Sequence, residues 1–241
     1  RFDFTGRLSF DWPNRELNAV NKNLEVRDNL LVRGQGLSYG DGEILAGKLS
    51  ETPMLDVSKV ARVIFNGSVK PPYKTFVGDS SNWQKLVEGH KSSSAFGDLT
   101  VTKVDGAVQE DSRLVEWKKG RESQFYWQSE TSMDFSALLE EDASLVLAFT
   151  VNKHPQGPVT LRMDCGWPCS GGFDFTSRLR KIPEGQAVRM GVRLSCFENV
   201  GVNLSRVNSP FVLSSSDVFA ITLSDALITS DISDKSTINC E

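Results

Sequence analysis

This 241-residue sequence has no long apolar run, no excess of basic over acidic residues and only two histidines. The longest predominantly apolar run, residues 145–151, is far shorter than the roughly 20 residues that cross a bilayer, so we expect no transmembrane segment. Lysine and arginine number 27 against 31 acidic residues, and the net charge of -4 gives no reason to expect nucleic-acid binding. The two histidines, His90 and His154, leave a zinc site short of ligands.

A complete phosphate-binding glycine loop is also missing. Gly34 and Gly36 begin the G-x-G-x-x-G fingerprint of dinucleotide sites, but Tyr39 occupies the sixth position and Gly40 comes one residue late. The third glycine lets the helix pack closely on its strand, and no sound helix opens in the glycine-rich and proline-containing sequence that follows. We therefore predict a turn here and no nucleotide site.

Cysteine is sparse, with four residues: Cys165, Cys169, Cys196 and Cys240. We favour disulfides formed in an oxidising compartment, and sequence leaves all three possible pairings open. This predicts an extracytoplasmic location: secreted, periplasmic or in an organelle lumen. Because the chain begins at Arg1, we expect either a processed mature chain or a fragment of a longer one.

Alternation of apolar and polar residues with a period of two dominates the second half of the chain. It predicts half-buried strands over residues 158–165 and 187–197, the second with five residues on one face: Val188, Met190, Val192, Leu194 and Cys196. The more apolar residues 144–152 and 217–228 predict central strands. One short helix is expected over residues 134–144, capped by Asp134 or Ser136. The pattern predicts an all-β, two-sheet jelly-roll sandwich.

The domain organisation predicted from these patterns has three parts. Residues 51–230 form the sandwich, and residues 231–241 form a C-terminal tail. Residues 1–50 are polar, rich in asparagine and too poor in apolar residues to fold alone, so they form an N-terminal extension. We expect residues 1–45 to contact the sandwich or a protein partner.

Several motifs in order along the chain resemble a known family. "FDFTGRLSFDWP" and "GQGLSYGDG" resemble the tail of the second domain of family 3 glycoside hydrolases, of the β-glucosidase and exo-β-glucanase type. "FVGDSSNW", "LTVTKVDGAVQEDSRLVEW" and "VTLRMDCGWPC" resemble the galactose-binding-like domain of ExoP-type exo-1,3/1,4-β-glucanases. Arg33 and Gln35 depart from the family, because they stand where relatives carry apolar or aromatic residues. The resemblance implies that the catalytic domain would lie upstream of Arg1, so no enzyme activity is expected.

The resemblance implies a galactose-binding-like sandwich that binds β-glucan or another glycan through stacked aromatic rings and polar side chains. A structural calcium is the one cofactor that it leaves open. The candidate carbohydrate-binding residues are Trp83, Gln109, Glu110, Asp111, Arg113, Trp117 and Trp167. For each residue a purely structural role is the alternative: Trp117 in the core, for example, or Arg113 fixing a loop through Glu110 or Asp111.

Two further functions remain open at this point. The chain could be a glycosidase remnant recruited as a structural subunit of a larger extracytoplasmic or organelle-lumen complex. Alternatively, it could be a fragment of an intact β-glucosidase, as the expected upstream domains would imply.

Overall fold

The computed structural model describes residues 12–13, 29–31, 62–232 and 237–238. The chain divides into two compact units, Arg1–Ser58 and Lys59–Glu241. In the first unit, strands β1 (Trp12–Pro13) and β2 (Asn29–Leu31) pair antiparallel. The predictions for the glycine-rich turn, for Arg33 and Gln35 and for the rest of residues 1–50 lie outside the described residues.

The second unit is built mainly from strands. They are, in order along the chain, β3 (Arg62–Asn66), β4 (Ser68–Val69), β5 (Tyr73–Asp79), β6 (Asn82–Leu86), β7 (Lys91–Ser93), β8 (Leu99–Val104), β9 (Ser112–Trp117), β10 (Ser123–Ser129), β11 (Ser144–Lys153), β12 (Val159–Asp164), β13 (Ser170–Asp174), β14 (Ala187–Arg193), β15 (Ser209–Ser215), β16 (Phe219–Thr229) and β17 (Thr237–Ile238). The helices are α1 (Ser136–Glu140), α2 (Thr176–Lys181), α3 (Leu194–Asn199) and a 3-10 turn, Leu204–Arg206.

Two sheets pack face to face. The six-stranded sheet has the order β13-β12-β15-β10-β5-β6, and the nine-stranded sheet has the path β17-β14-β11-β16-β9-β8-β7, with β3 paired to β16 and β4 paired to β3. The core lies between them: Trp127 of the first sheet stacks on Phe65 of the second, with ring centroids 5.3 Å apart. This architecture confirms the predicted all-β sandwich.

Period-two alternation placed the strands well because one face of each sheet is buried. In β12, Val159, Leu161 and Met163 are buried in the core while the residues between them are half-buried. The two most apolar segments became β11 and β16, which lie next to each other inside the nine-stranded sheet. Their predicted central position is therefore confirmed.

The predicted strand over residues 187–197 is wrong at its C-terminal end. Strand β14 stops at Arg193, and helix α3 follows at once. Leu194 and Phe197 are both fully buried, and their spacing of three residues suits one face of a helix, whereas in a strand they would point to opposite sides. Helix α1 lies within the predicted helical segment, but its N-cap is Phe135, whose side chain makes no capping bond, so the predicted cap at Asp134 or Ser136 is wrong. The Oδ1 atom of Asp134, one residue before the N-cap, accepts a hydrogen bond from the backbone N–H of Ser136 at 2.8 Å.

Disulfide formation is confirmed for the pair Cys165–Cys169, and Cys196 is disulfide-bonded as well. Cys240 lies outside the described residues. Within residues 62–232 and the short described strands, no helix is long and apolar enough to span a membrane. The same residues contain no group of three or more His, Cys, Asp or Glu side chains placed to hold a metal ion. The calcium expectation stays a prediction.

Candidate functional site

The outer face of the six-stranded sheet carries a row of side chains that crosses every strand but β13. Strand pairing aligns Leu86, Phe76, Tyr126, Val212 and Arg162 side by side. Tyr126 and Val212 are almost fully buried although they are not part of the core between the sheets. This outer face is therefore partly enclosed.

The enclosure is a groove of about 590 Å³. Its lining residues are Trp83, Gln84, Glu122, Gln124, Tyr126, Gln128, Arg162, Asp164, Gly166, Trp167, Cys169, Ser170 and Asn208. Strand β10 explains the floor: Phe125 and Trp127 point into the core, so the alternation of the strand places Gln124, Tyr126 and Gln128 on the outer face. The lining is rich in amides and aromatic rings.

Trp83 forms one rim, on edge strand β6. The strand is exposed along its whole length, so burial does not hold it, and Trp83 itself is 45% exposed. The hydroxyl of Tyr126 donates a hydrogen bond to the carbonyl oxygen of Trp83 at 2.6 Å. Gly78 on the neighbouring strand permits the close approach, because a Cβ atom there would lie 2.9 Å from the Cα of Trp83 and closer still to its carbonyl oxygen. Two specific contacts thus fix this rim.

The β5–β6 turn next to this rim is anchored by a buried carboxylate. The Oδ1 atom of Asp79 accepts hydrogen bonds from the backbone N–H groups of Ser81 and Asn82, and its Oδ2 accepts one from Phe96 at 2.7 Å. Burial alone would raise the pKa of Asp79, but these hydrogen bonds outweigh it and the pKa is lowered. The ionised carboxylate holds the start of β6 in place.

Trp167 forms the opposite rim, in the loop between β12 and β13. Its side chain is 96% exposed, which is unusual for tryptophan. The Cys165–Cys169 disulfide closes this loop, and the backbone N–H of Cys165 donates to the carbonyl of Cys169 at 2.9 Å. The N–H of Gly166 donates to Oδ1 of Asn208 at 3.1 Å. The exposed indole is therefore carried by a cross-linked, hydrogen-bonded turn.

Arg162 and Asp164 supply the charged part of the floor. The Nε of Arg162 donates to Oδ1 of Asp164 at 2.7 Å, and its Nη2 donates to Oδ2 at 3.1 Å. The same Nη2 donates to Oε1 of Gln124 at 2.9 Å, which leaves the amide NH₂ of Gln124 for other partners. Gln128 donates to the hydroxyl of Ser209 at 3.1 Å. The side chains of the floor are thus held in position by one another.

Of the seven predicted carbohydrate-binding residues, two, Trp83 and Trp167, line this groove. The other five, Gln109, Glu110, Asp111, Arg113 and Trp117, belong to the β8–β9 connection and to β9 of the nine-stranded sheet, and they do not line the groove. Gln109 is exposed there.

Four of these five residues, Glu110, Asp111, Arg113 and Trp117, make contacts within the domain. Asp111 accepts hydrogen bonds from the N–H groups of Ala107 and Val108, both at 2.9 Å. Arg113 donates to the carbonyl of Glu110 at 2.9 Å and covers the ring of Phe65. Trp117 is only 2% exposed, stacks on Phe219 and donates to the carbonyl of Ser123 at 2.9 Å. The contacts of Asp111, Arg113 and Trp117 are of the kind expected from the structural alternative, and a role of these residues in carbohydrate binding stays a prediction.

The residues of the groove floor were not among those predicted from the sequence. Arg162 and Asp164 occupy the polar face of a strand that was predicted, and Gln124, Tyr126 and Gln128 alternate with core aromatics in "SQFYWQS". Amides and a tyrosine on the outer positions of a strand were the available signal. This signal was not sufficient alone, because β10 and β12 come to share one floor only when β15, which lies far along the chain, pairs between them.

Comparison with known proteins adds a family and a fold. Residues 71–228 match the Exop_C family model, described as galactose-binding domain-like. The solved exo-1,3/1,4-β-glucanase ExoP from a Pseudoalteromonas species is 22% identical with a TM-score of 0.64, and the match covers 99% of this chain but 29% of that chain. Its extra C-terminal domain, solved alone, is 17% identical with a TM-score of 0.63, covering 75% of this chain and 99% of that one.

A family 30 carbohydrate-binding module of a Clostridium thermocellum cellulosomal cellulase is 14% identical with a TM-score of 0.51, over 72% of this chain and 99% of the module. At these identities the solved structures establish a shared fold. Among curated proteins, none matches the chain at a significant level. The family match covers more than half of the chain and confirms the resemblance to ExoP-type domains. The chain belongs to the Exop_C family of galactose-binding-like domains.

Proposed function

We propose that this chain is a non-catalytic module that binds a β-glucan chain in the groove of the six-stranded sheet. The observation that carries the proposal is the pair of exposed tryptophans, Trp83 and Trp167, on opposite rims of a groove with a polar floor. Indole faces stack on the apolar faces of sugar rings, while amides and charged groups bond the hydroxyls.

The width of the groove favours an oligosaccharide over a single sugar. Trp83 lies on β6 and Trp167 follows β12, and four inter-strand steps separate these strands. At roughly 4.8 Å per step, their backbones lie about 19 Å apart across the sheet. One sugar ring does not reach both indoles, so affinity should rise with chain length until both are covered.

The solved structures with the same fold support a glycan as the class of ligand. One is a carbohydrate-binding module, and another is the extra C-terminal domain of an exo-1,3/1,4-β-glucanase. The disulfides support an extracytoplasmic location, where glycans are met and thiols are oxidised. A non-catalytic role agrees with the family matched by residues 71–228.

The alternative of a structural subunit draws on residues 1–45, most of which lie outside the described residues. The alternative of a fragment of an intact β-glucosidase concerns sequence beyond this chain. Neither is favoured by a feature of the described residues, and the protein partner of residues 1–45 stays a prediction.

Calorimetric titration with β-1,3/1,4-glucan oligosaccharides of increasing length tests the proposal. Wild type should bind, and Trp83→Ala and Trp167→Ala should each weaken binding about tenfold, since each loses one stacking surface. Val108→Ala is the control, because Val108 is an apolar residue of the β8–β9 connection that is 67% exposed and does not line the groove, and this variant should bind as wild type does.

Absence of binding to any β-glucan at millimolar sugar would overturn the proposal. Unchanged affinity in both tryptophan variants would move the site away from this groove. Release of reducing sugar from the same oligosaccharides, abolished by a substitution in this chain, would contradict the non-catalytic assignment.

A further inference from the structure

The charged side chains of the groove are few and nearly cancel. Among the lining residues, Glu122, Arg162 and Asp164 carry charge, and together they sum to -1. Arg162 is the single cation of this set. An arginine in a binding groove ordinarily attracts carboxylates and sulfates, because its planar guanidinium fork matches their oxygens.

In this groove the fork is already occupied. Asp164 accepts from both Nε and Nη2 of Arg162, at 2.7 and 3.1 Å, in the two-point geometry that an anionic ligand would require. Gln124 accepts from Nη2 as well. The pair is well shielded from water, since the two side chains are 25% and 23% exposed, so the attraction between them is only partly screened.

Other features of the groove also disfavour an anion. Glu122 is exposed on the same face and adds a second negative charge near the floor. Among the described residues, Nη1 of Arg162 has no hydrogen-bond partner, so it can donate to a neutral hydroxyl oxygen. With Nε and Nη2 bonded to Asp164, Arg162 offers a ligand the donor Nη1 but no free two-point site for an anion.

We propose that Asp164 is a specificity-determining residue that neutralises Arg162, so that the groove accepts uncharged glycans and rejects uronate-containing or sulfated ones. This inference rests on the proposed function, because it concerns the ligand of the same groove. Asp164 acts through Arg162 by removing the positive charge that acidic polysaccharides would otherwise use, while the net charge of -1 adds repulsion.

The test measures the ratio of two affinities. Wild type and Asp164→Asn are titrated with a neutral glucan oligosaccharide and with the same oligosaccharide oxidised at its primary hydroxyls to carboxylates. Wild type should bind the neutral ligand at least tenfold more tightly. In Asp164→Asn the guanidinium charge is unpaired, so the ratio should shift at least tenfold toward the oxidised ligand, and added salt should reverse the shift.

Two controls separate charge from fold. Glu140→Gln removes an exposed carboxylate of α1 that does not line the groove and should leave the ratio at its wild-type value. The double variant Arg162→Gln with Asp164→Asn should bind the oxidised ligand no better than wild type does, because the cation is gone. Should Asp164→Asn fail to fold, the ratio of wild-type affinities for the neutral and oxidised ligands, and its salt dependence, still decide whether the groove rejects acidic glycans.

The outcomes distinguish this inference from the function it rests on. Equal affinity of wild type for both ligands overturns the inference and leaves glycan binding intact, and so does an unchanged ratio in a folded Asp164→Asn. Failure of wild type to bind either ligand overturns the proposed function itself.

Discussion

The end of the β8–β9 connection and the floor of the groove each contain an aspartate and an arginine two residues apart, yet they use them in opposite ways. In the loop, Asp111 accepts backbone N–H groups, and Arg113, at the start of β9, donates to the backbone carbonyl of Glu110. In the groove, Arg162 and Asp164 bond to each other and to a neighbouring amide. The loop uses its polar atoms to close its own backbone, whereas the groove turns them toward a cavity.

Backbone hydrogen bonding explains the difference. A connection has unpaired N–H and C=O groups, and nearby carboxylates and guanidinium groups satisfy them. The floor belongs to strands β10, β12 and β15, whose backbone groups pair with neighbouring strands. Polar side chains on the outer face of a sheet are therefore not needed to close the fold and can serve a ligand. Composition alone does not separate the two cases.

The substitution with the largest expected effect breaks the groove at Gly78. In Gly78→Ala the new Cβ meets the backbone of Trp83, with the Cα 2.9 Å away and the carbonyl oxygen closer, so β6 must move and the Tyr126 contact is lost. We expect a loss of about 2 kcal/mol in stability, as for other overpacked sites. Glycan affinity should fall more than tenfold in titration. Gly89→Ala, where a Cβ meets nothing within 4 Å, is a control for affinity only, because Gly89 has a positive φ of 67° and the change itself strains the backbone.

The next effect concerns the loop of the opposite rim. Replacing both Cys165 and Cys169 with serine opens the turn that carries Trp167, and we expect about tenfold weaker glycan binding. Because the disulfide closes a short loop, its removal should lower the free energy of unfolding by about 2 kcal/mol, measured by urea unfolding. If the disulfide acts through Trp167, adding the two serines to Trp167→Ala should cause no further loss of affinity. Full additivity would show that the disulfide supports some other part of the site.

A smaller effect is expected from Tyr126→Phe. The ring keeps its stacking on Phe76, with centroids 5.3 Å apart, while the 2.6 Å hydrogen bond to the carbonyl of Trp83 disappears. The variant should lose about 1 kcal/mol of glycan-binding free energy, which is roughly a fivefold weaker affinity in titration. Burial, with a further contribution from the charge of Asp164, raises the pKa of Tyr126 well above its ordinary value of 10.0. The phenol stays protonated, so wild-type affinity should not change between pH 7 and pH 10 on account of this residue.

How much of this could be predicted depended on whether a feature is local. Period-two alternation predicted β12 because burial of one face shows in successive residues, and continuous apolar runs predicted the central strands such as β11. The boundary between β14 and α3 could not be predicted, since Leu194 fits both periods and the switch depends on tertiary packing. Trp83 and Trp167 stood out because polar or turn-forming residues flank them. Arg162 and Tyr126 did not stand out, because they come together only through the order in which the strands pair in the sheet.

The smallest effect on binding, and the sharpest contrast with Asp164→Asn, is expected from Asp111→Asn. Burial alone would raise the pKa of Asp111, but hydrogen bonds from Val108, Ala107 and Ser112 outweigh it and lower the pKa. A folded pKa below the unfolded value means that the carboxylate stabilises the protein above about pH 4 and that this contribution is lost as pH falls through the folded pKa.

Asp111→Asn should therefore destabilise the protein by about 1 kcal/mol at pH 7, and this difference from wild type should shrink toward pH 3 in urea unfolding. Glycan affinity and the preference for neutral over oxidised oligosaccharide should stay at their wild-type values, because Asp111 does not line the groove. A change of that preference as large as in Asp164→Asn would mean that the loop, and not the floor of the six-stranded sheet, sets ligand charge selectivity.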